Sequence, residues 1–132
     1  MLTTNEILTF LYSVIVASPI NALGGGVYKK TRPTDSILED CVISIIPGTS
    51  AKFVQDGAIY VKIFYLDINQ DNTYYEDAAT GQAMEILLRN LSESLLHLYN
   101  ISFDVQSREI YTEAVPEIHQ HYAILKINFK VI

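Results

Sequence analysis

The last fourteen residues alternate between apolar and polar side chains, and this alternation is the strongest constraint on the fold. They read HQHYAILKINFKVI, residues 119–132. Successive side chains of a β-strand point to opposite faces, so one face of this segment is apolar and the other is mixed. The apolar face is Ala123, Leu125, Ile127, Phe129 and Val131; the other carries Tyr122, Lys126, Asn128 and Lys130, with Ile124 and Ile132 as exceptions. The pattern predicts a strand that packs one face on a core.

Two other segments repeat their apolar residues at helical spacing and predict amphipathic helices. The first covers residues 3–18, where Thr3 and Glu6 match a capping box and Ser18-Pro19 ends the helix. The second covers residues 76–99 and ends at Asn100. The apolar faces are Ile7, Leu8, Leu11, Val14 and Ile15 in the first, and Met84, Leu87, Leu88, Leu91, Leu95 and Leu98 in the second.

Several further segments are β-prone and end at turn residues. They are GVYKKT (26–31), DCVISIIPG (40–48), AIYVKIFYL (58–66) and ISFDVQSREIYTEAV (101–115). The third should be a central strand or pack against a partner, because both of its faces are apolar. Asp56-Gly57 predicts a tight hairpin turn or a bulge, and NQDNTYYED (69–77) predicts a polar connection.

The order of these elements predicts the fold class. A helix, consecutive strands, a second helix and final strands indicate an α+β fold, with a mostly antiparallel sheet and two helices packed on one face. The 132 residues fit a single domain, residues 1–132, and 49% of them are hydrophobic, enough for a core. The apolar N-terminal run lacks a basic leader and is too short to span a bilayer, so we expect a soluble, intracellular protein.

The charge is unevenly distributed along the chain. The net charge is -6, yet residues 63–117 alone carry ten acidic residues against Arg89 and Arg108, a local charge of -8. Binding to nucleic acid depends mainly on neutralising phosphates. The acidic balance therefore argues against a dedicated nucleic-acid binder.

Three groups of residues resemble chemical sites without completing one. In NALGGGVYKKT the pair Lys30-Thr31 follows Lys29 rather than glycine, and a helix precedes the glycines, so the phosphate-loop pattern fails. His119 and His121 in HQH would share one strand face, but two imidazoles are too few for a closed metal site. Cys41 lies in an apolar run and predicts a buried, inert thiol.

We therefore predict no catalytic residues, no metal and no cofactor. The alternative is a small α+β ligand- or metal-binding domain, or an enzyme, that uses His119 and His121.

The order of elements resembles the tail-terminator and tail-completion proteins of long-tailed bacteriophages, including the lambda-type terminator and related head–tail joining proteins. The resemblance covers nearly the whole chain. Its most familiar local feature is VYKKTRPTDSILEDCVI (27–43), where a tyrosine, an Arg-Pro and an acidic pair precede a buried strand. The motif is loose and carries no catalytic signature.

The resemblance implies a non-enzymatic structural subunit of a phage or prophage tail. Such a subunit would form a ring with copies of itself, a hexamer in members of the family, that caps the tail tube and contacts the head connector. DNA would pass through the ring without specific binding, and no membrane would be involved. The protein would then belong to the virion tail and be assembled in the bacterial host cytoplasm.

Closing a ring requires two different, complementary surfaces on each subunit. The candidate subunit interface is Lys29, Lys30, Arg32, Ile59, Val61, Ile63 and Tyr65. The candidate acidic channel or partner face is Asp67, Asp71, Glu76 and Asp77. These acids would repel DNA phosphates in a channel or pair with the basic residues of a neighbouring subunit.

Overall fold

A computed structural model of the protein describes residues 3–48, 56–96 and 103–131. Two α-helices and seven strands account for most of these residues. The helices are α1 (Thr4–Val16) and α2 (Ala78–Leu96). The strands are β1 (Val27–Lys29), β2 (Cys41–Pro47), β3 (Asp56–Leu66), β4 (Ile68–Gln70), β5 (Thr73–Tyr75), β6 (Phe103–Val115) and β7 (Gln120–Val131). Short 3-10 turns span Pro19–Ala22 and Pro116–Ile118.

Five strands form one sheet in the order β1-β2-β3-β7-β6. The pair β1–β2 is parallel, and the other three pairs are antiparallel. The central position of β3 agrees with its two apolar faces, because such a strand is covered on both sides. At the edge, β6 shifts register against β7 between Val105 and Ser107. The predicted α+β class and the mostly antiparallel sheet are confirmed.

Both helices pack on the same face of the sheet, as predicted. Helix α1 lies over β1 and β2, while α2 lies over β6 and β7 and also reaches β3. Their buried side chains join one core with the inward residues of β2, β3 and β7. From the helices this core takes Ile7, Leu8, Leu11, Ile15, Met84, Leu88 and Leu91. Leu98 and Asn100 of the predicted second helix lie outside the described residues.

The opposite face of the sheet carries aromatic rings and cations that cover one another. Arg32 lies 3.6 Å from the Phe64 ring centroid, and Lys62 Nζ lies 4.7 Å from that of Tyr122. Beneath this layer Ile124 is buried on β7. Cations over ring faces are attracted by the ring quadrupole, so these contacts keep the face polar while shielding apolar area.

The ends of both helices follow their local sequence. Thr3 Oγ1 accepts a hydrogen bond from Glu6 N at 3.2 Å and donates one to the Glu6 carboxylate. Helix α2 begins at Ala78 rather than at the predicted Glu76, because Asp77 Oδ1 accepts a hydrogen bond from Thr80 N at 3.1 Å. A carboxylate in that position satisfies an otherwise unpaired amide of the first turn. Within the part of the chain that the structure describes, no helix is long and apolar enough to cross a membrane.

One sequence-based expectation about a turn was wrong. Asp56 and Gly57 are the first residues of β3, where Gly57 pairs with Pro47 on one side and Phe129 on the other. The segment 69–77 is a polar connection, as predicted, but together with Ile68 most of it forms the β4–β5 hairpin, which was not predicted. Asp71 and Asn72 form its turn with φ of 53° and 64°, the left-handed geometry that a two-residue hairpin turn requires.

Gly57 is required by close packing, and its replacement tests the fold. A Cβ atom at this position would lie 2.4 Å from the Ile46 carbonyl oxygen, which is backbone and cannot rotate away. We expect Gly57→Ala to lower the free energy of unfolding by about 1–3 kcal/mol, as overpacking does, measured by urea denaturation. The matched control is Gly24→Ala, where a Cβ would meet nothing within 4 Å. Equal stability of the two variants would contradict this packing.

Candidate functional site

The four strand residues predicted to form a subunit interface lie in the core instead. Ile59, Val61, Ile63 and Tyr65 are at most 2% exposed, beneath the two helices. Their face of β3 is covered by this chain itself, so no neighbouring subunit can contact it. This part of the interface prediction is corrected: the apolar alternation of β3 reflects its central place in the sheet.

Arg32, also predicted for the interface, is turned inward. Its Nη1 lies 3.4 Å from Asp40 Oδ2, and its Nη2 donates to Gln120 Oε1 at 2.8 Å. With Phe64 under its guanidinium, the Arg32 side chain is only 13% exposed. Burial lowers the pKa of Arg32, and the neighbouring carboxylate of Asp40 partly opposes that effect. Arg32 therefore serves the fold rather than a partner.

Asp40 is the centre of a buried polar network. It is fully buried, and its carboxylate accepts hydrogen bonds from Gly26 N at 3.1 Å and from the Ser36 hydroxyl as well as from Arg32. Gln120 Nε2 donates to the Ser36 carbonyl at 2.9 Å and closes the network. Buried carboxylates are stable only when paired and hydrogen-bonded in this way. These hydrogen bonds thus hold the loop between β1 and β2 against the start of β7.

Lys29 and Lys30 remain on the surface at the β1 edge. Lys29 Nζ donates to Thr9 Oγ1 at 3.1 Å and lies 5.4 Å from the Tyr12 ring centroid on α1. Lys30 is exposed and has a φ of 76°. Tyr12 is exposed as well, so this surface is basic with an aromatic component. We call it the basic edge.

The four acids predicted for a channel or partner face all lie on or beside the β4–β5 hairpin. Asp67 immediately precedes β4, and Asp71 is in the turn. Glu76 follows β5, and Asp77 caps α2. Asp67 and Asp77 are committed to hydrogen bonds within the chain. Asp71 and Glu76 are exposed, although Glu76 also accepts a hydrogen bond from Tyr65.

His121 on β7 contacts two of these acids. Its Nδ1 lies 2.5 Å from Asp67 Oδ1, and its Nε2 lies 3.9 Å from Glu76 Oε2. Glu76 Oε1 also accepts a hydrogen bond at 3.0 Å from the Tyr65 hydroxyl, whose pKa is raised by burial and then by this carboxylate. The sequence gives no local signal for the cluster, because Asp67 and His121 are 54 residues apart and meet only through the β3–β7 pairing.

The other histidine of HQH does not join this cluster. His119 precedes β7 with a φ of 54°, and its ring stacks on Tyr74 with centroids 3.6 Å apart. The expectation that His119 and His121 share one strand face was wrong, because the strand begins at Gln120. Within the described ranges, no group of three or more His, Cys, Asp or Glu side chains is arranged to hold a metal ion.

Exposed apolar side chains gather at the end of the sheet where β3 leads into the β4–β5 hairpin. Ile37 and Leu38 are 66% and 52% exposed, and with Leu66 they line a shallow cavity of about 240 Å³ beside Asp77. Ile37 also lines a second cavity of about 250 Å³ with Ile118. We call Ile37, Leu38, Leu66 and Ile118 the hairpin-end patch. Clustered exposed apolar residues rimmed by polar ones are typical of interaction surfaces.

Comparison with known proteins adds no family to this description. No protein-family model matches the chain, and a search of the curated proteins finds no match. The functional conclusion therefore depends on the geometry of the site and on the resemblance to phage tail terminators.

The Asp40 network can be tested by removing one charge. Asp40→Asn keeps the shape of the side chain but leaves the partly buried Arg32 without its anion, and we expect a loss of about 2 kcal/mol or more in the free energy of unfolding. Urea denaturation measures the loss. The control is Asp35→Asn in the same loop, since Asp35 is exposed and its φ of 61° suits asparagine. If both variants are as stable as the wild type, Asp40 does not organise this loop.

Cys41 gives a prediction about pH and reactivity. It is 1% exposed, and burial raises the pKa of its thiol to about 12. At pH 8 it should carry about a thousandfold less thiolate than a free cysteine, so an aromatic disulfide reagent should label the native chain far more slowly than the chain in urea. Because the unfolded thiol ionises first, stability should fall as the pH rises above about 9. Comparable labelling rates in the two states would contradict the burial.

Proposed function

We propose that the protein is a non-enzymatic structural subunit that associates head to tail with copies of itself into a ring. The observation that carries the proposal is the hairpin-end patch, a cluster of exposed apolar side chains set among acids. The resemblance to phage tail terminators supplies the context: a ring that caps a tail tube, contacts the head connector and lets DNA pass. In that context the protein belongs to the virion tail and assembles in the bacterial host cytoplasm.

The charge around the hairpin-end patch selects a basic partner surface. Residues 63–77 and 112–119 contain no lysine or arginine, and they carry the acids Asp67, Asp71, Glu76, Asp77, Glu113 and Glu117. A like-charged surface would be repelled, whereas a basic one with some apolar area would be steered toward the patch. The partner surface should therefore combine lysines with exposed apolar side chains.

The basic edge of the same chain has this composition. Lys29 lies beside the exposed Tyr12 of α1, and the exposed Lys30 follows it in the chain. Because the basic edge and the hairpin-end patch are different surfaces, their contact is heterologous and leaves one free copy of each surface on a dimer. Further subunits add in the same way until the rotation closes a ring. Arg32 and the buried face of β3 have no part in this contact.

The alternative of a ligand- or metal-binding domain requires His119 and His121 to converge. The two rings instead contact different side chains, Tyr74 for His119 and Asp67 for His121. This separation disfavours a shared ligand, so the assembly role is the better-supported proposal.

Sedimentation velocity and negative-stain microscopy test the assembly, with one variant for each surface. Leu38→Lys places a charge in the hairpin-end patch, and Lys30→Glu reverses the basic edge; both positions are exposed, so folding should persist. We expect the wild type to form rings and each variant to associate at least tenfold more weakly, a change of about 1.4 kcal/mol. The control is Ile46→Lys, an equally exposed apolar residue on β2, which should assemble normally.

Mixing the two variants tests the head-to-tail geometry directly. In an equimolar mixture, the intact basic edge of Leu38→Lys can bind the intact patch of Lys30→Glu. The product should be a heterodimer that grows no further, because its two remaining surfaces are both defective. A wild type that stays monomeric at every soluble concentration, or a Leu38→Lys variant that forms rings, would overturn the proposal.

A further inference from the structure

The cavity beside Asp77 in the hairpin-end patch holds a carboxylate that is unpaired among the described residues. Glu39 lines this cavity together with Leu38 and Leu66. Its side chain is half-buried, and within the described ranges it makes no hydrogen bond and no ion pair. Partial burial of a carboxylate without a donor or a cation is unfavourable, so Glu39 is free to bind one from another molecule. We call this space the Glu39 cavity.

The dimensions and walls of the Glu39 cavity suit a single side chain. Its volume is about 240 Å³, below the roughly 300–1,000 Å³ of pockets that enclose small molecules. Its apolar walls are the exposed Ile37, Leu38 and Leu66, and its charged groups are the carboxylates of Glu39 and Asp77. A lysine matches this combination, because its methylene stem packs on apolar surface while its ammonium binds an anion.

Of the two carboxylates, Glu39 is the one available to an incoming cation. Both oxygens of Asp77 already accept hydrogen bonds from Thr80, at 3.1 Å from its backbone nitrogen and at 2.7 Å from its hydroxyl. The charge of Asp77 still adds to the negative potential of the cavity. None of the described residues that line the cavity is basic. The cavity therefore attracts a cation that the residues around it do not supply.

Three exposed basic side chains in the described ranges make no hydrogen bond, ion pair or ring contact, namely Lys30, Arg89 and Lys130. Two of them have opposite charges close by. Arg89 has a glutamate four residues away on each side along α2, the spacing at which helical charges attract. Lys130 lies opposite an aspartate on each of the two neighbouring strands. Their charges are therefore largely balanced within the subunit.

Lys30 has no such balance and is held on a fixed backbone. It directly follows Lys29, and neither lysine has a carboxylate partner in the described part of the chain. The Lys30 backbone nitrogen donates to the Ile43 carbonyl at 2.7 Å, with a φ of 76°. A left-handed backbone is uncommon for a long side chain and persists where the surrounding structure imposes it. The edge of the sheet thus presents a free ammonium from a fixed position.

We propose that the Glu39 cavity receives the Lys30 side chain of a neighbouring copy of this chain, with the ammonium at the Glu39 carboxylate. This inference rests on the proposed ring and names the contact that selects the partner there. The methylene stem packs on Leu38 and Leu66, which also shield the charge pair from water. A partner without a cation at this position leaves Glu39 half-buried and unpaired, so the cavity discriminates against it.

A double-mutant cycle on association tests the pair. Glu39→Gln and Lys30→Gln each remove one charge, and neither side chain makes a hydrogen bond in the described part of the chain, so both variants should fold. Urea denaturation checks that they do. We expect each variant to associate about fivefold more weakly in sedimentation velocity, the upper end for a partly exposed ion pair. The double variant should also be about fivefold weaker, whereas independent effects would multiply to about twenty-fivefold.

Exchanging the two charges gives a second test of the same contact. Lys30→Glu places two carboxylates together, and adding Glu39→Lys restores an opposite pair in the reverse orientation. We expect the exchanged protein to associate within about threefold of the wild type, because the attraction between the two positions is regained.

The matched control combines Glu39→Gln with Arg89→Gln, which removes an exposed charge from α2. The effects of these two changes should multiply, because the two side chains do not meet across the contact. Coupling of Glu39 to Arg89 instead of Lys30 would overturn the assignment of Lys30 to the cavity.

The outcomes separate the Glu39–Lys30 contact from the ring itself. If the wild type forms rings but the Glu39 and Lys30 effects multiply, or the exchanged protein stays as weak as Lys30→Glu, the contact is wrong and the ring stands. A wild type that remains monomeric overturns both. Coupling in the cycle together with recovery in the exchanged protein supports both.

Discussion

The pairing of β3 with β7 is the interaction on which the rest of the structure depends. It joins eleven residue pairs from Asp56↔Lys130 to Leu66↔Gln120. This ladder builds the floor of the core beneath both helices, and at one end it brings Tyr65 and Asp67 to His121. At that same end Gln120 reaches Arg32 and the loop of residues 30–40. A long antiparallel ladder fixes register strongly when one face is buried, so residues far apart in sequence are placed together reliably.

Periodicity in the sequence predicted the elements whose conformation follows from their own residues rather than from contacts with distant parts of the chain. Helix α1 and strand β7 were predicted because their apolar faces repeat without interruption, and the Thr3–Glu6 cap is a local interaction. The hairpin was missed, although Asp71-Asn72 between β-prone residues was a usable signal. The Asp56-Gly57 prediction failed because that glycine is selected by the nearby Ile46 carbonyl and not by a turn.

The candidate site could be predicted only in part, for a related reason. The acidic character of residues 67–77 is visible in composition, and the structure gathers those residues at one end of the sheet. The inward turn of Arg32 depends on Phe64, Asp40 and Gln120, the last of which is 88 residues away. No local pattern encodes such a contact. Treating Lys29, Lys30 and Arg32 all as surface cations therefore counted one positive charge too many. The exposure of Ile37 and Leu38 was hidden for the same reason.

The two edges of the main sheet limit how copies of this chain can grow into larger structures. On one side β1 offers only three residues, with lysine at its end. On the other, β6 is thirteen residues long, but its register shift at Val105/Ser107 and its exposed Asp104, Glu109 and Glu113 interrupt a flat edge. Short, bulged and charged edges discourage the strand-on-strand addition that produces fibres. Growth of this fold by strand-on-strand addition is thereby disfavoured at both edges of the main sheet.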